Sequence, residues 1–299
     1  MFMNMYAFMG AVEQGFVYGI MVLGVYLTFR VLDFPDLTVD GSLPLGASVS
    51  AVAVGYGIDP FFSCFLAMGA GFLAGMVTAV LNTKLKILHL LASILTMIAL
   101  YSINIRIMGG PNVSLLGKDI VIDPLINAGI PGYLAAPIIF GIISVAVTGM
   151  IIWFLHTEFG LCMQAAGNNP RMIISQGVNT HFVIITGVGL SNALVALSGA
   201  LVAQNQGASD VNMGVGTIVA GLASVIVGET VFGNHSVVRA CIAALGGSII
   251  YRLTIALALG LKWGKFSFTP SDLNLITALL VIAALTAPKI KAKLMPKRL

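Results

Sequence analysis

The side chains that could do chemistry in this chain are few and scattered. Four ionisable residues fall inside otherwise apolar runs: Glu13, Arg106, Glu229 and Arg252. A charge in that setting is costly unless it is paired or wet, so each is a candidate for handling protons or ions. Glu13 and Arg106 fall toward one face, where a partner or water is within reach. Glu229 falls near the opposite end of its segment, where solvent reaches it. Arg252 lies well inside its segment and needs a carboxylate or helix-end carbonyls. A proton-coupled carrier wants a carboxylate deep in an apolar run, and none stands out. His89, His156, His181 and His235 lie near expected helix ends, as interfacial histidines do. Cys64, Cys162 and Cys241 are too far apart for metal or disulfide spacing. No phosphate loop of the form G-x-x-x-x-G-K-[ST] occurs, no G-x-S-x-G and no H-E-x-x-H. The chain is therefore expected not to be an enzyme, to hold no metal or cofactor, and not to hydrolyse ATP alone.

Two polar stretches remain. Residues 34–42 combine Asp36, Thr38, Asp40 and Ser42 with Pro35 and Gly41. Pro35 stops a regular helix and Gly41 permits a tight turn. The stretch reads either as an ordinary loop with Asp40 or Ser42 capping the next helix, or as a broken segment aimed into an aqueous path. Residues 156–181 hold a Glu-Phe-Gly at 158–160 and an Asn-Asn-Pro at 168–170. Short amphipathic helices broken by glycine and Asn-Asn-Pro suit this pattern. Phe159, Met163 and Met172 are apolar in a polar loop, and an exposed apolar element of this kind suggests a docked partner.

The elements that must position these residues are membrane helices. Of the 299 residues 58% are hydrophobic and only 9% are charged, against about a quarter charged in a soluble domain. Mean hydropathy is +1.01. Such a chain cannot cover itself with polar groups, so lipid is its solvent. The net charge of +4 fits basic residues at helix ends, not nucleic-acid binding. Nine apolar segments are expected, near 8–29, 42–58, 60–83, 88–108, 132–155, 182–204, 214–231, 236–260 and 273–288. Each is close to the length a spanning helix needs, and the first is read as a retained helix because no basic signal region precedes it. The fold class is thus all-α, a polytopic bundle of about nine transmembrane helices forming one domain over 1–299.

Placing the tail with Lys289, Lys291, Lys293, Lys297 and Arg298 in the cytoplasm puts Arg30, Lys84, Lys86, Arg171 and Arg239 on the same side. Fewer basic residues (Arg106, Lys118, Lys262 and Lys265) fall outside. This predicts an outside N-terminus, a cytoplasmic C-terminus and a cytoplasmic loop 156–181. The short, glycine-containing segment 214–231 suits either a span or a re-entrant element. The stretch beginning Asp36-Leu37-Thr38 also parallels the one beginning Asp210-Val211-Asn212. Both lead into helices rich in small residues, and the five-segment offset would invert the second copy, as in transporters built from inverted repeats.

The loop 156–181 resembles the coupling segment of ATP-binding-cassette (ABC) importer permeases of the branched-chain amino acid and ribose type. Their pattern is Phe-Gly, then Ala-x-Gly-x-Asn-Pro, then Gly-Val/Ile-Asn. Here these are Phe159-Gly160, the stretch from Ala165 to Pro170, and Gly177-Val178-Asn179, with Leu161 where a basic residue is common. The stretches 197–201 and 219–229 resemble later family blocks, and Glu229 replaces a usual glycine. The pairing of that Ile-Val-Gly-Glu with Asp-Leu-Thr-Val-Asp-Gly is similar to a narrower branch of tryptophan/tyrosine or uncharacterised importer permeases. The resemblance implies coupling to an ATPase through Glu158, Phe159, Gly160, Gln164, Ala165, Gly167, Asn169 and Pro170. It implies Asp36, Thr38, Asp40 and Ser42 near a translocation path. It further implies a second permease copy, an ABC ATPase subunit that holds ATP and Mg, an extracytoplasmic substrate-binding protein, and a place in the bacterial inner membrane. The cargo would be a small nutrient such as an amino acid. The competing expectation from the residues alone is an ion-coupled secondary transporter using Glu13 or Glu229.

Overall fold

Backbone amides and carbonyls in hydrocarbon find no water, so charge-free runs close their own hydrogen bonds as helices. The structure, a computed structural model, describes residues 5–260 together with 262–263, 266–267, 282 and 286. In chain order its helices are α1 (Met5–Tyr26), α2 (Val39–Gly55), α3 (Pro60–Thr83), α4 (His89–Met108), α5 (Asp123–Asn127), α6 (Gly132–Leu155), α7 (Glu158–Asn168), α8 (Pro170–Ser175), α9 (Thr180–Gln206), α10 (Thr217–Phe232) and α11 (Val237–Gly260). A π-helical turn, Leu27–Val31, extends α1. Two short strands, β1 (Asn112–Ser114) and β2 (Ala208–Asp210), pair antiparallel.

Six helices are long and apolar enough to cross a membrane: α1 with its π-turn, α3, α4, α6, α9 and α11. Two more, α2 and α10, are apolar but shorter. The described residues therefore hold six long candidates and two short helices where eight segments were expected. The ninth segment, 273–288, lies outside the described residues.

Local chemistry sets the helix starts. Asp59 accepts from the amides of Phe61 and Phe62 at 2.9 and 3.1 Å, and Pro60 takes the first position of α3. Small residues set the packing. A Cβ on Gly46 of α2 would collide with the Ala196 carbonyl of α9, and one on Gly199 of α9 with the Leu43 carbonyl of α2. Two backbones therefore touch with nothing between them, the close approach that replaces the hydrophobic effect in lipid. α9 is the most enclosed span and α4 the least.

Serines tie α1 to its neighbours. Its carbonyls at Val17 and Gly24 accept from Ser198 and Ser191 of α9, at 2.8 and 2.7 Å. Those at Phe16 and Gly15 accept from Ser144 of α6 and Ser248 of α11, at 2.7 and 2.9 Å. The contacts also fix direction. α1 and α9 run antiparallel, so the α1 C-terminus meets the α9 N-terminus at one end of the bundle. The β1–β2 pair follows α9 at the other end.

Candidate coupling and pathway site

The loop 156–181 folds as two helices laid on the ends of spans. Thr157 starts α7, its hydroxyl accepting from the Gly160 amide at 3.3 Å, and Glu158 occupies the first turn, where a carboxylate suits the helix dipole. Asn169 ends α7 by donating its amide to the Ala165 carbonyl at 2.9 Å. The same residue starts α8 by accepting from the Met172 amide at 3.2 Å, with Pro170 at the first position. The break between α7 and α8 thus falls at Asn169-Pro170, and a second, between α8 and α9, at Gly177 with φ +82°. Gly167 is inside α7. Its role is contact: a Cβ there would collide with the Val31 carbonyl of the π-turn. Gly160 is pressed in the same way against the last turn of α6, and Gln164 Nε2 donates to the Leu155 carbonyl there at 2.8 Å. The Phe159 ring lies 5.9 Å from that of Phe154 and 6.1 Å from that of Phe182.

Met163, expected at the surface, is instead fully buried, because Met163 and Leu32 meet over Gly187 of α9. The apolar surface of this element is Leu161, Met172 and Ile174, with Glu158, Asn169 and Pro170 exposed beside it. Ala165 is half-buried.

Val31 leads directly to the second region. The Phe34 amide donates to the Thr28 carbonyl at 2.9 Å, which turns the chain back along α1. Asp36 then reaches Asn192, near the middle of α9. Its Oδ1 accepts from the Thr38 amide at 2.9 Å and its Oδ2 from Asn192 Nδ2 at 2.7 Å. Ser42 donates to Asn192 Oδ1 at 2.6 Å, and the Thr38 and Thr78 hydroxyls are 2.9 Å apart. Asp36, Thr38, Ser42 and Asn192 are all buried. α2 therefore begins halfway along the bundle, at Val39 and not at 42. Thr38 takes the cap position; neither Asp40 nor Ser42 caps α2, contrary to the sequence expectation.

Asp40 caps a different helix. Its Oδ1 accepts from the Ile218 amide at 2.8 Å and the Thr217 hydroxyl at 3.0 Å, and its Oδ2 accepts from the Gly216 amide at 3.1 Å. These are the first donors of α10, so α10 also starts at mid-bundle. Gly214 lies against the Asp40 carbonyl, which has lost its helical donor to Pro44. Asp210 repeats the local turn of Asp36: its Oδ1 accepts from the Asn212 amide at 2.7 Å. α2 then runs toward the β1–β2 end and α10 toward the α7 end, where Glu229 forms an ion pair with Arg30. The segment ending in α10 thus runs from the β1–β2 end toward the α7 end of the bundle.

Two of the other charges also find partners. The Arg252 guanidinium lies 3.7 Å from the Tyr18 ring centroid. It makes a cation–π contact, where a carboxylate or helix-end carbonyls were expected. Glu13 accepts from Asn205 Nδ2, and Arg106 is exposed. Sequence reasoning missed Arg30, Tyr18, Asn192 and Gln204. Gln204 bonds the Val121 amide, Ser50 and Ser63 at 3.0, 3.0 and 3.1 Å. Asn192 and Gln204 had a visible signal, since both are amides within one charge-free apolar run. No group of three or more His, Cys, Asp or Glu positioned for a metal occurs among the described residues.

Helical spans, a surface helix pair seated on their backbone and two short helices meeting at mid-bundle make up a transport protein of the membrane. Residues 8–285 match the family described as branched-chain amino acid transport system / permease component, and the chain belongs to that family, the permeases of ABC-type transport systems. It is 40% identical to a tyrosine transport system permease protein of Clostridioides difficile, over 95% of this chain and 94% of that one. It is 30% identical to an uncharacterised protein of Rickettsia prowazekii, over 93% of this chain and 96% of that one. A more distant likeness, 25% over 54% of this chain and 46% of the other, is to the galactofuranose transporter permease protein YtfT of Escherichia coli. No solved structure matches the chain.

Proposed function

We propose that this permease imports an aromatic amino acid, or a small nutrient of that kind, across the bacterial inner membrane at the expense of ATP hydrolysed elsewhere. The substrate class follows the relative named for tyrosine transport, which aligns over nearly the whole of both chains. An ABC ATPase, holding ATP and Mg, docks on α7 and α8 in the cytoplasm. A second copy of the chain completes the path, and a binding protein delivers cargo outside, on the side of the N-terminus. The C-terminus is cytoplasmic.

The observation that carries this reading is the seating of α7. Its inner face rests on the Val31 carbonyl through Gly167 and on α9 through Met163 and Gly187. Its outer face offers Glu158 and Leu161 to a partner, and α8 adds Met172 and Ile174 beside them. A shift of α7 therefore bears on residues 31–36, which lead to the buried Asp36–Asn192 contact and the start of α2. That is a rigid route from the ATPase to mid-bundle, suited to a two-state movement. The paired turns at Asp36 and Asp210, each followed by a short helix running opposite ways, support an inverted repeat around the path. In this arrangement Asp36, Thr38 and Ser42 shape the broken crossing from inside, and Asp40 joins its two halves at the edge of the path. The ion-coupled alternative gains no support, because Glu13 and Glu229 are each engaged by a neighbour.

The test is co-purification with the ATPase encoded beside it, followed by hydrolysis assays in liposomes. A stoichiometric complex, stimulated by binding protein loaded with tyrosine or tryptophan, is expected. No complex, together with proton- or sodium-driven uptake by the permease alone, would overturn the reading.

A further inference from the structure

The turn joining α3 to α4 borders a hollow lined by none of the residues assigned above to coupling or to the path. Asn82 Nδ2 donates to the Ile87 carbonyl at 2.7 Å and draws this turn back under α3. Within it Lys86 is held at φ +56°, a conformation that usually calls for glycine. The turn and the starts of α4 and α9 border an open hollow of about 300 Å³. Lys86, His89 and His181 line this space with Thr180 and Ile184, and no Asp or Glu does. The only ion pair among the described residues is Arg30–Glu229, so Lys86 has no carboxylate partner there. His89 touches the Phe34 ring edge-on, with centroids 4.6 Å apart.

The surroundings indicate what fills it. Leu88 lines it, Leu85 and Leu91 nearby in the chain are exposed like it, and α4, which forms one wall, is the span least covered by protein. The rim therefore faces acyl chains. The floor lies at the level of the α9 N-terminus, where headgroups lie. α7 and α8 pack on α6, α9 and the π-turn, so the proposed ATPase surface occupies another flank of α9.

We infer that this cavity binds the phosphate of an anionic phospholipid. Lys86 and the two imidazoles take the phosphate, and the acyl chains run over Leu85, Leu88 and Leu91. A basic pocket between helices at the interface favours anionic over zwitterionic lipid.

The experiment is native mass spectrometry of the purified permease with phosphatidylglycerol and phosphatidylcholine of matched chains. Phosphatidylglycerol should be retained in preference. Lys86→Gly, which suits the positive φ and so should fold, should lower that retention roughly fivefold and leave phosphatidylcholine unchanged. His181→Gln should lower it as well. Equal retention of the two lipids, or no change in Lys86→Gly, would overturn the assignment. So would displacement of the lipid by millimolar inorganic phosphate, which would mark a free-phosphate site. Unchanged retention with weaker ATPase binding in Lys86→Gly would assign the surface to the ATPase instead. The lipid measurement uses the permease alone, so its failure leaves the transport reading standing.

Discussion

Asn192 serves Asp36, Ser42 and the Val188 carbonyl at once, all of them buried. Replacing it by leucine keeps the volume and removes every bond. Asp36 then keeps only its contacts with Thr38, and the Ser42 hydroxyl loses its acceptor. Leaving such groups unsatisfied costs about 3 kcal/mol, so Asn192→Leu should lower thermal stability in detergent by that order. Asp36→Asn in the same chain should recover part of the loss, because the orphaned group no longer needs a donor as strongly. Equal stability of the wild type and Asn192→Leu would show that the network does not hold α2. Asp36 was legible as a candidate from its type and from Pro35 beside it. Its partner was not, because 156 positions separate the two and nothing local pairs them. The same holds for Arg30 with Glu229 and for Tyr18 with Arg252. Sequence exposes an intramembrane charge as a problem, and only packing names the solution.

At the scale of elements, apolar runs located the long helices well, because hydrocarbon forces any such run to bond within itself. The starts of the short helices were less legible. α2 was expected at 42 and begins at Val39, because its polar first turn is paid for by Asn192, Thr78 and the α10 amides, all supplied by distant elements. In α7, glycine was read through its usual effect on propensity, yet Gly167 sits within the helix because a neighbouring backbone needs its space. That distinction gives a test. Gly167→Val should push α7 off the π-turn at a local cost of about 1–3 kcal/mol. We expect membrane insertion to persist, while stimulation of hydrolysis by loaded binding protein, and uptake with it, are lost. Gly149→Ala in α6, where an added Cβ meets nothing within 4 Å, is the control and should transport normally. Full coupling in Gly167→Val would remove α7 from the transmission route.

For the whole molecule, the two short helices decide which side each end of the chain occupies. If either α2 or α10 turned back, every later loop would change sides. Asp40 and Asn192 place both starts at mid-bundle, while Gln204 and Arg30 place the finishes toward opposite ends, and we propose that each completes a crossing. The start of α1 and the exposed Tyr56 then share the β1–β2 end, and Met172 lies at the other. With α7 and α8 in the cytoplasm, as proposed, Tyr56 faces outside. Single cysteines test this in a Cys162→Ser background, since Cys64 and Cys241 are buried. Tyr56→Cys should react with a membrane-impermeant maleimide on intact spheroplasts, and Met172→Cys only in inverted vesicles. The reverse labelling would put α7 and α8 outside, where no ATPase could reach them, and would end the proposed docking. Labelling of both from one side would mean that one short helix turns back, and the inverted pairing of α2 with α10 would fall with it.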